Sequence, residues 1–387
     1  MATAPVILSN EPGSFPWGVF HDRHPKLIQQ LLDAVPYTPE QQARLRRLLG
    51  DSLEGVLEPL DDQAHDHGQW LDWGQGLWGR PWSDAPFLWA ESYFYRRILD
   101  ATGYFEPGAW HGVDPFAPLK SAELSGSAVD DELAGLAELS TLPEDERRDA
   151  LLLSSLWGNR ADLTFQISRG DAPTARSSAL LADDTALLWA RLASTATRTV
   201  ALIADNAGRE LLPDLLLIDH LLVHGTAARV ALYVKPHPYY VSDATTADTL
   251  AAIERLGASS EPEAVTAGHR LAAALRRGTL LVRTHAFFCS PLPFHRMPSD
   301  LVGELAAVDL AILKGDLNYR RLVGDQHWSA TTPFVGTTAY FPAPVAALRT
   351  LKSDVVVGLQ DRVVRALDAS GEPWRTNGRH ALVQVRA

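Results

Sequence analysis

The chain has 387 residues, 46% of them hydrophobic and 21% charged, which leaves room for one large or two moderate domains and argues against extended disorder. With 35 Lys and Arg against 47 Asp and Glu, the formal charge is −12; nonspecific binding to nucleic acid or to an anionic membrane is disfavoured, and an anionic substrate needs a local basic pocket. The single cysteine, Cys289, excludes an intrachain disulfide and a thiolate metal cluster.

The opening "MATAPVILSNEPGSFPWG" has no charged-then-apolar leader, and no run approaches the length of a bilayer span, so a soluble cytoplasmic protein is expected. "HPKLIQQLLDAV" (24–35) has helical apolar spacing. "TPEQQARLRRLLG" (38–50) reads as a helix capped by Thr38, with Pro39 in its first turn and a stop at Gly50. "APFLWAESYFYRRILDATG" (85–103) is a longer helix whose aromatic residues pack a core. The small, acidic stretch 120–140 reads as a mobile connection with at most a marginal helix. In "TLPEDERRDALLLSSLWG", Thr141, Pro143 and Glu144 stand in capping positions before another apolar face. A boundary near 150 divides a mainly helical N-terminal domain (1–150) from an α/β domain (151–387).

Beyond that boundary, "RTVALIAD", "RVALYVKP", "TLLVRTHAFF", "VDLAILKG" and "SDVVVGL" read as strands separated by helical segments. Near-continuous apolar strands alternating with helices predict a mostly parallel sheet covered on both faces. Ligands bind such sheets beyond the carboxyl ends of the strands. There the sequence places Asp205 and Asn206, then Lys235 and Asp243, then Lys314, Gly315, Asp316, Asn318 and Arg320. Asp205, Asn206 and Asp243 offer only oxygen donors, which suits a hard divalent cation; equally, they could cap the following helices. Lys314, Arg320 and the helix start after Gly315 could receive a phosphate, or form an ordinary solvated turn. Pro213 requires its helix to begin only two or three residues earlier, or to kink.

Other features read as structural. His65 and His67 in "AHDHG" have no third ligand nearby, His237 in "KPHP" sits in a loop, and Cys289 is flanked by apolar residues. The chain lacks the phosphate-binding P-loop, the serine nucleophile elbow, the zincin histidine pair and a glycine-rich dinucleotide turn.

"ADNAGRELLPDLLLIDHLL", "VKPHPYYVSDATTAD", "LKGDLNYRRLVGD" and "LRTLKSDVVVGL", with "WAESYFYRRI" and "LWGNRADLT" upstream, resemble the successive signatures of the metal-dependent damage-control phosphatases, in the acidic residue methyltransferase-like subgroup. The likeness spans roughly residues 15 to 360. It implies a three-layer α/β/α sandwich preceded by a helical region. It also implies a metal held by Asp205, Asn206 and Asp243, with Mn²⁺ first and Ni²⁺ or Co²⁺ as alternatives. Substrate contacts are implied for Asp205, Asn206, Asp316, Leu317, Asn318, Tyr319, Arg320 and Lys352.

The activity so implied is hydrolysis of small sugar phosphates such as fructose 1-phosphate or fructose 6-phosphate, with Asp205 or Asp316 as the catalytic carboxylate and Lys352 and Arg320 offsetting phosphoryl charge. The expected partner is a small phosphorylated metabolite, not nucleic acid or membrane. Asn159 and Asp162 could line the pocket or pack the domain junction. Two rival functions are S-adenosylmethionine-dependent carboxyl methyl transfer, for which "SLWGNRADL" is a poor glycine-rich loop, and noncatalytic binding of a phosphometabolite.

Overall fold

The computed structural model of the chain describes residues 4–158, 179–193 and 199–387. The N-terminal helices follow their sequence signals closely. Thr38 and Gln41 cap Pro39–Glu54 reciprocally, each side chain accepting from the other's backbone N–H. The expected stop at Gly50 is not used. The helix continues to Glu54, since an internal glycine costs only about 1 kcal/mol and the buried Leu48 and Ser52 hold the last turns against the core. Phe87–Thr102 is buried on almost every side and ends at Gly103, whose φ of 81° takes the left-handed C-cap conformation. Its Trp89 and Tyr93 meet Trp70, Trp78 and Trp82 in a cluster of tilted and edge-on rings, so core packing accounts for the aromatic run.

The stretch 120–140 departs from expectation. It forms two helices, Ala117–Leu124 and Ser127–Ser140. Val129 and Leu133 are fully buried in the core; Lys120 bridges Asp114 (2.6 Å) and Asp248 (2.7 Å), and Glu132 pairs with Arg209. These tertiary contacts outweigh the weak local pattern. Glu144–Trp157 is preceded by Pro143 with no side-chain cap, and it runs through residue 150.

The sheet has seven strands: β1 (Leu180–Asp183), β2 (Thr199–Ile203), β3 (Arg229–Val234), β4 (Leu280–Thr284), β5 (Leu310–Lys314), β6 (Val345–Thr350) and β7 (Ala381–Arg386), in the order β1-β7-β6-β5-β2-β3-β4. Every ladder is parallel except β6 with β7. "SDVVVGL" is not a strand. It follows β6 as an irregular segment whose Val355, Val356 and Val357 are buried, while Arg349 donates to the Val355 carbonyl. The sixth strand is the preceding "VAALRT".

Alternate strand residues sort onto two faces. Ala201, Ile203, Tyr233, Leu313 and Ala347 join the core formed with Phe87–Thr102 and its neighbours. Val200, Leu202, Leu232, Ile312 and Leu348 join the core under Leu211–Val223, Thr246–Gly257 and Pro262–Arg277. The result is an α/β/α arrangement with the N-terminal helices in one outer layer. Among the described residues, no helix is long and apolar enough to cross a membrane.

Candidate functional site

The chain passes from β2 outward to β3 and β4, then returns to the other side of β2 for β5 and β6. The sequence therefore reverses direction between β2 and β5, and such a point leaves a crevice at the strand ends. A cavity of about 240 Å³ lies there, lined by Asp205 and Asn206 after β2, Lys314 to Asp316 at the end of β5, and Thr350 and Lys352 at the end of β6. The Asp205 carboxylate rests directly against Gly315. A Cβ at that glycine would lie 1.8 Å from Asp205 Oδ2, and its φ of +82° also favours glycine.

Asp205 and Asn206 do not cap the next helix. Leu211–Val223 starts two residues before Pro213, as the proline requires, behind a short 3₁₀ turn, and neither start has a side-chain cap. Nor does Asp243 cap Thr246–Gly257, a role taken by Thr245 with Asp248. Asn206 and Asp243 instead pair as an isolated antiparallel bridge, fixed by Ala207 N–H to the Ser242 carbonyl (2.6 Å) and Ala244 N–H to that of Asp205 (2.9 Å). The Asn206 amide donates to Glu210 Oε2 (2.8 Å), and its Oδ1 accepts from the Ser242 hydroxyl (2.8 Å). Its orientation is thus set from both ends.

Burial, then the charges of Asp243 and Glu210, push the Asp205 carboxyl well above the usual carboxylate range, against the pull of Lys352 and Lys235. Asp243 is buried beside Lys235, with 3.5 Å between Oδ2 and Nζ, yet neither atom has a hydrogen-bond partner among the described residues. Among those residues, no three His, Cys, Asp or Glu side chains converge as a ready ligand group. The donor set here is two carboxylates and an amide oxygen. A buried carboxylate oxygen without a donor, next to a second carboxylate destabilised by like charge, fits a hard divalent cation and its accompanying water.

Asp316 and Lys352 complete the wall. Asp316 Oδ1 accepts from Arg349 Nε (2.8 Å), the Ser353 hydroxyl (3.1 Å) and Lys352 N–H (3.3 Å). Burial alone would raise its pKa, but Arg349 and then Arg320 hold it below the ordinary carboxylate value. Lys352 is half-exposed, and its Nζ donates to Glu210 Oε1 (3.2 Å). Glu210 is itself kept below its ordinary value: burial opposes this, while Lys352, the Asn206 hydrogen bond and Lys314 prevail.

The remaining predicted contacts lie behind the cavity wall. Asn318 is fully buried and donates to the carbonyls of Ala204 (3.0 Å) and Lys314 (2.8 Å), locking the ends of β2 and β5 together. Leu317 packs with Leu88, Tyr239 and Cys289. The Tyr319 hydroxyl donates to Gln384 (2.9 Å). Arg320 is buried in ion pairs with Asp325 (2.8 Å) and Glu91 (3.1 Å). Lys314 faces the cavity but is held by Asp214 (2.9 Å) and the Ser155 carbonyl.

Sequence reasoning missed Glu210, Asp214 and Arg349. No periodicity marks them: Asp214 lies on Leu211–Val223, Glu210 ends the 3₁₀ turn before it, and Asn206 stands in the bridge to Asp243. His237 bonds its own loop, to the Pro238 carbonyl (2.8 Å), and Cys289 is buried with its thiol pushed up to about 12 by burial. His67 bonds the Leu60 carbonyl (2.9 Å) and His65 lies against Phe105. Asn159 and Asp162 lie outside the described residues.

The family described as "Damage-control phosphatase ARMT1-like domain" matches residues 19–367. Damage-control phosphatase ARMT1 of Mus musculus is 32% identical, with 99% of each chain covered; that of Danio rerio is 32% identical, covering 96% of this chain and 94% of the other; the Homo sapiens protein is 30% identical, with 99% of each covered. A DUF89 family protein from Pyrococcus horikoshii shares the fold at a TM-score of 0.52 and 13% identity, covering 96% of this chain and 98% of its own. The chain belongs to the ARMT1-like damage-control phosphatase family.

Proposed function

We propose that this phosphatase hydrolyses small sugar phosphates, fructose 1-phosphate and fructose 6-phosphate among them, with a divalent metal ion held by Asp205, Asn206 and Asp243. Mn²⁺ is the first choice, with Ni²⁺ and Co²⁺ as alternatives. The observation that carries the reading is the buried Asp205 carboxylate seated on Gly315 where the strand order reverses, with an Asp243 oxygen that faces Lys235 at 3.5 Å but has no hydrogen bond among the described residues. When bound, a divalent ion supplies Lewis acidity toward a phosphoryl oxygen and toward water.

The chain's own groups do the rest. The nine-residue helix Gly315–Val323 begins at the cavity with no side-chain cap, so its first N–H groups can receive a phosphoryl oxygen. Lys352 Nζ, tethered to Glu210 at the rim, adds a cationic donor to the same anion. Glu210 holds Asn206 through its Nδ2, so that the amide orientation does not vary. Asp316, kept ionised by Arg349, is suited to accept a proton from an attacking water at Oδ2, since Oδ1 is already saturated. Arg320 acts through the helix it anchors to Glu91, rather than by touching the phosphate.

The test is phosphate release from a panel of sugar phosphates by chelator-stripped protein, with and without Mn²⁺, Ni²⁺ or Co²⁺. Turnover should require an added ion and fall at least about 10²-fold in Asp205→Ala and Asp243→Asn. Turnover indifferent to chelator and to both substitutions would overturn the metal assignment. Binding of sugar phosphate without any turnover would identify a noncatalytic receptor.

A further inference from the structure

A second cavity, about 560 Å³ against about 240 Å³ at the strand ends, opens in the helical layer. It lies between Pro39–Glu54 and Phe87–Thr102 and the loops that follow them, and it shares no lining residue with the first. Four arginines border it. Two are matched: Arg96 is buried against Asp66 (2.6 Å) and Asp100, and Arg44 pairs with Glu106 (2.9 Å). The other two, Arg47 and Arg97, have no carboxylate within ion-pair distance among the described residues; Arg97 hydrogen-bonds the Tyr93 hydroxyl, with its guanidinium 5.7 Å from that ring. Of the remaining acids, Asp61 accepts the backbone N–H of Gln63 (2.9 Å), and Asp51 makes no ion pair among the described residues.

Between these charges the wall is apolar, formed by Leu48, Pro59, Ala101 and Phe105. The Phe105 ring is held by the Arg96 guanidinium at 4.6 Å and meets the half-exposed His65 ring at 4.3 Å. A concave, largely apolar space with aromatic walls and a few unmatched charges is the usual form of a small-molecule site. In a chain of net charge −12, an anion reaches the surface against the overall field, so unmatched guanidiniums around a cavity are its natural receptors.

We propose that this cavity binds a small metabolite carrying a planar ring and one anionic group, phosphate or carboxylate, with the ring on Phe105 and His65 and the anion at Arg47 and Arg97. The site is distinct from the phosphatase centre, but in mechanical contact with it. The Phe105 ring also meets His237 edge-on at 5.1 Å, and His237 lies in the segment joining Lys235 to Asp243. An occupant that reseats Phe105 therefore bears on the segment that carries Asp243, which makes the cavity a place for regulation of turnover.

The experiment is calorimetric titration of the full-length Asp205→Ala protein, which cannot turn the probe over, with adenosine 5′-monophosphate and, separately, 4-hydroxybenzoate. Adenosine and inorganic phosphate serve as the ring-only and anion-only controls. At least one ring-bearing anion should bind with a single-site isotherm, at least about tenfold tighter than either control. The Arg47→Ala/Arg97→Ala pair should weaken it at least about tenfold without changing the ligand-free melting temperature, and Phe105→Leu should weaken it while keeping an apolar wall. In the Mn²⁺-loaded parent protein, whose strand-end centre is intact, saturating fructose 1-phosphate should not displace it. The stronger of the two probes distinguishes a phosphate ligand from a carboxylate one. Failure of both to bind, equal binding of adenosine, binding that survives loss of both arginines, or displacement by fructose 1-phosphate would each overturn the assignment.

Discussion

Gly315→Ala is the most informative single change in the strand-end cavity. Two costs are expected, and a second glycine separates them. A φ of +82° is unfavourable for alanine, by about 1–2 kcal/mol. In addition, the new Cβ would stand 1.8 Å from Asp205 Oδ2, where nothing closer than 3.0 Å is tolerated, so the carboxylate must retreat by about 1 Å. A displacement of that order in a catalytic group costs about 10²-fold in rate. Gly378 lines the same cavity with φ +69°, but its Cβ would meet nothing within 4 Å. Both variants should therefore lose the backbone increment of stability in urea titration, Gly315→Ala losing more because of the clash, whereas only Gly315→Ala should lose about 10²-fold in kcat/KM for phosphate release with Mn²⁺. Equal activity in the two variants would refute the idea that the Asp205 position, set by this contact, governs the reaction.

Asp205→Asn tests the electrostatics. Because the folded chain binds the Asp205 proton more tightly than the unfolded chain, metal-free protein loses stability as pH rises from the ordinary carboxylate range through the raised value. In chelator at pH 7.5, Asp205→Asn should melt higher, on the order of 2 °C, with the advantage shrinking toward pH 4; added Mn²⁺ should raise the melting temperature of the parent protein only. Asp243→Asn and Thr245→Ala should divide function from capping: the first abolishes turnover, while the second removes the helix cap for about 1 kcal/mol of stability and keeps kcat, as read by denaturation and initial rates. Arg349→Met leaves Asp316 without its principal buried counter-ion and should cost about 3–5 kcal/mol in urea unfolding; a loss below about 1 kcal/mol would show that the pair is solvent-screened.

The sheet was legible where both faces are buried. "VALI", "VALYV" and "LAIL" are continuous apolar runs flanked by turn residues, and they became β2, β3 and β5. β4 was read from "TLLVRTHAFF" although it is only partly buried, whereas β1, β6 and β7 hide their identity. The sixth is alanine-rich and carries Arg349 beside its last residue, and the seventh contains Gln384, buried where the Tyr319 hydroxyl donates to it. "SDVVVGL" has the stronger strand composition, yet its backbone carbonyls turn to Arg349 and Gln384 side chains instead of a neighbouring strand. At the cavity, the residues at strand ends could be read because topology alone makes those positions special. Glu210, Asp214 and Arg349 could not, since a lone charge within an apolar run shows its purpose only when its partner on another element is known.

The placement of β7 bears on how the molecule is made. This strand lies between β1 and β6, and among the described residues β1 has no other neighbour in the sheet. During synthesis, β1 must wait unpaired for almost two hundred residues until 381–386 leave the ribosome. Helper proteins that shield exposed edges should therefore matter more for the yield of this protein than its final stability would indicate.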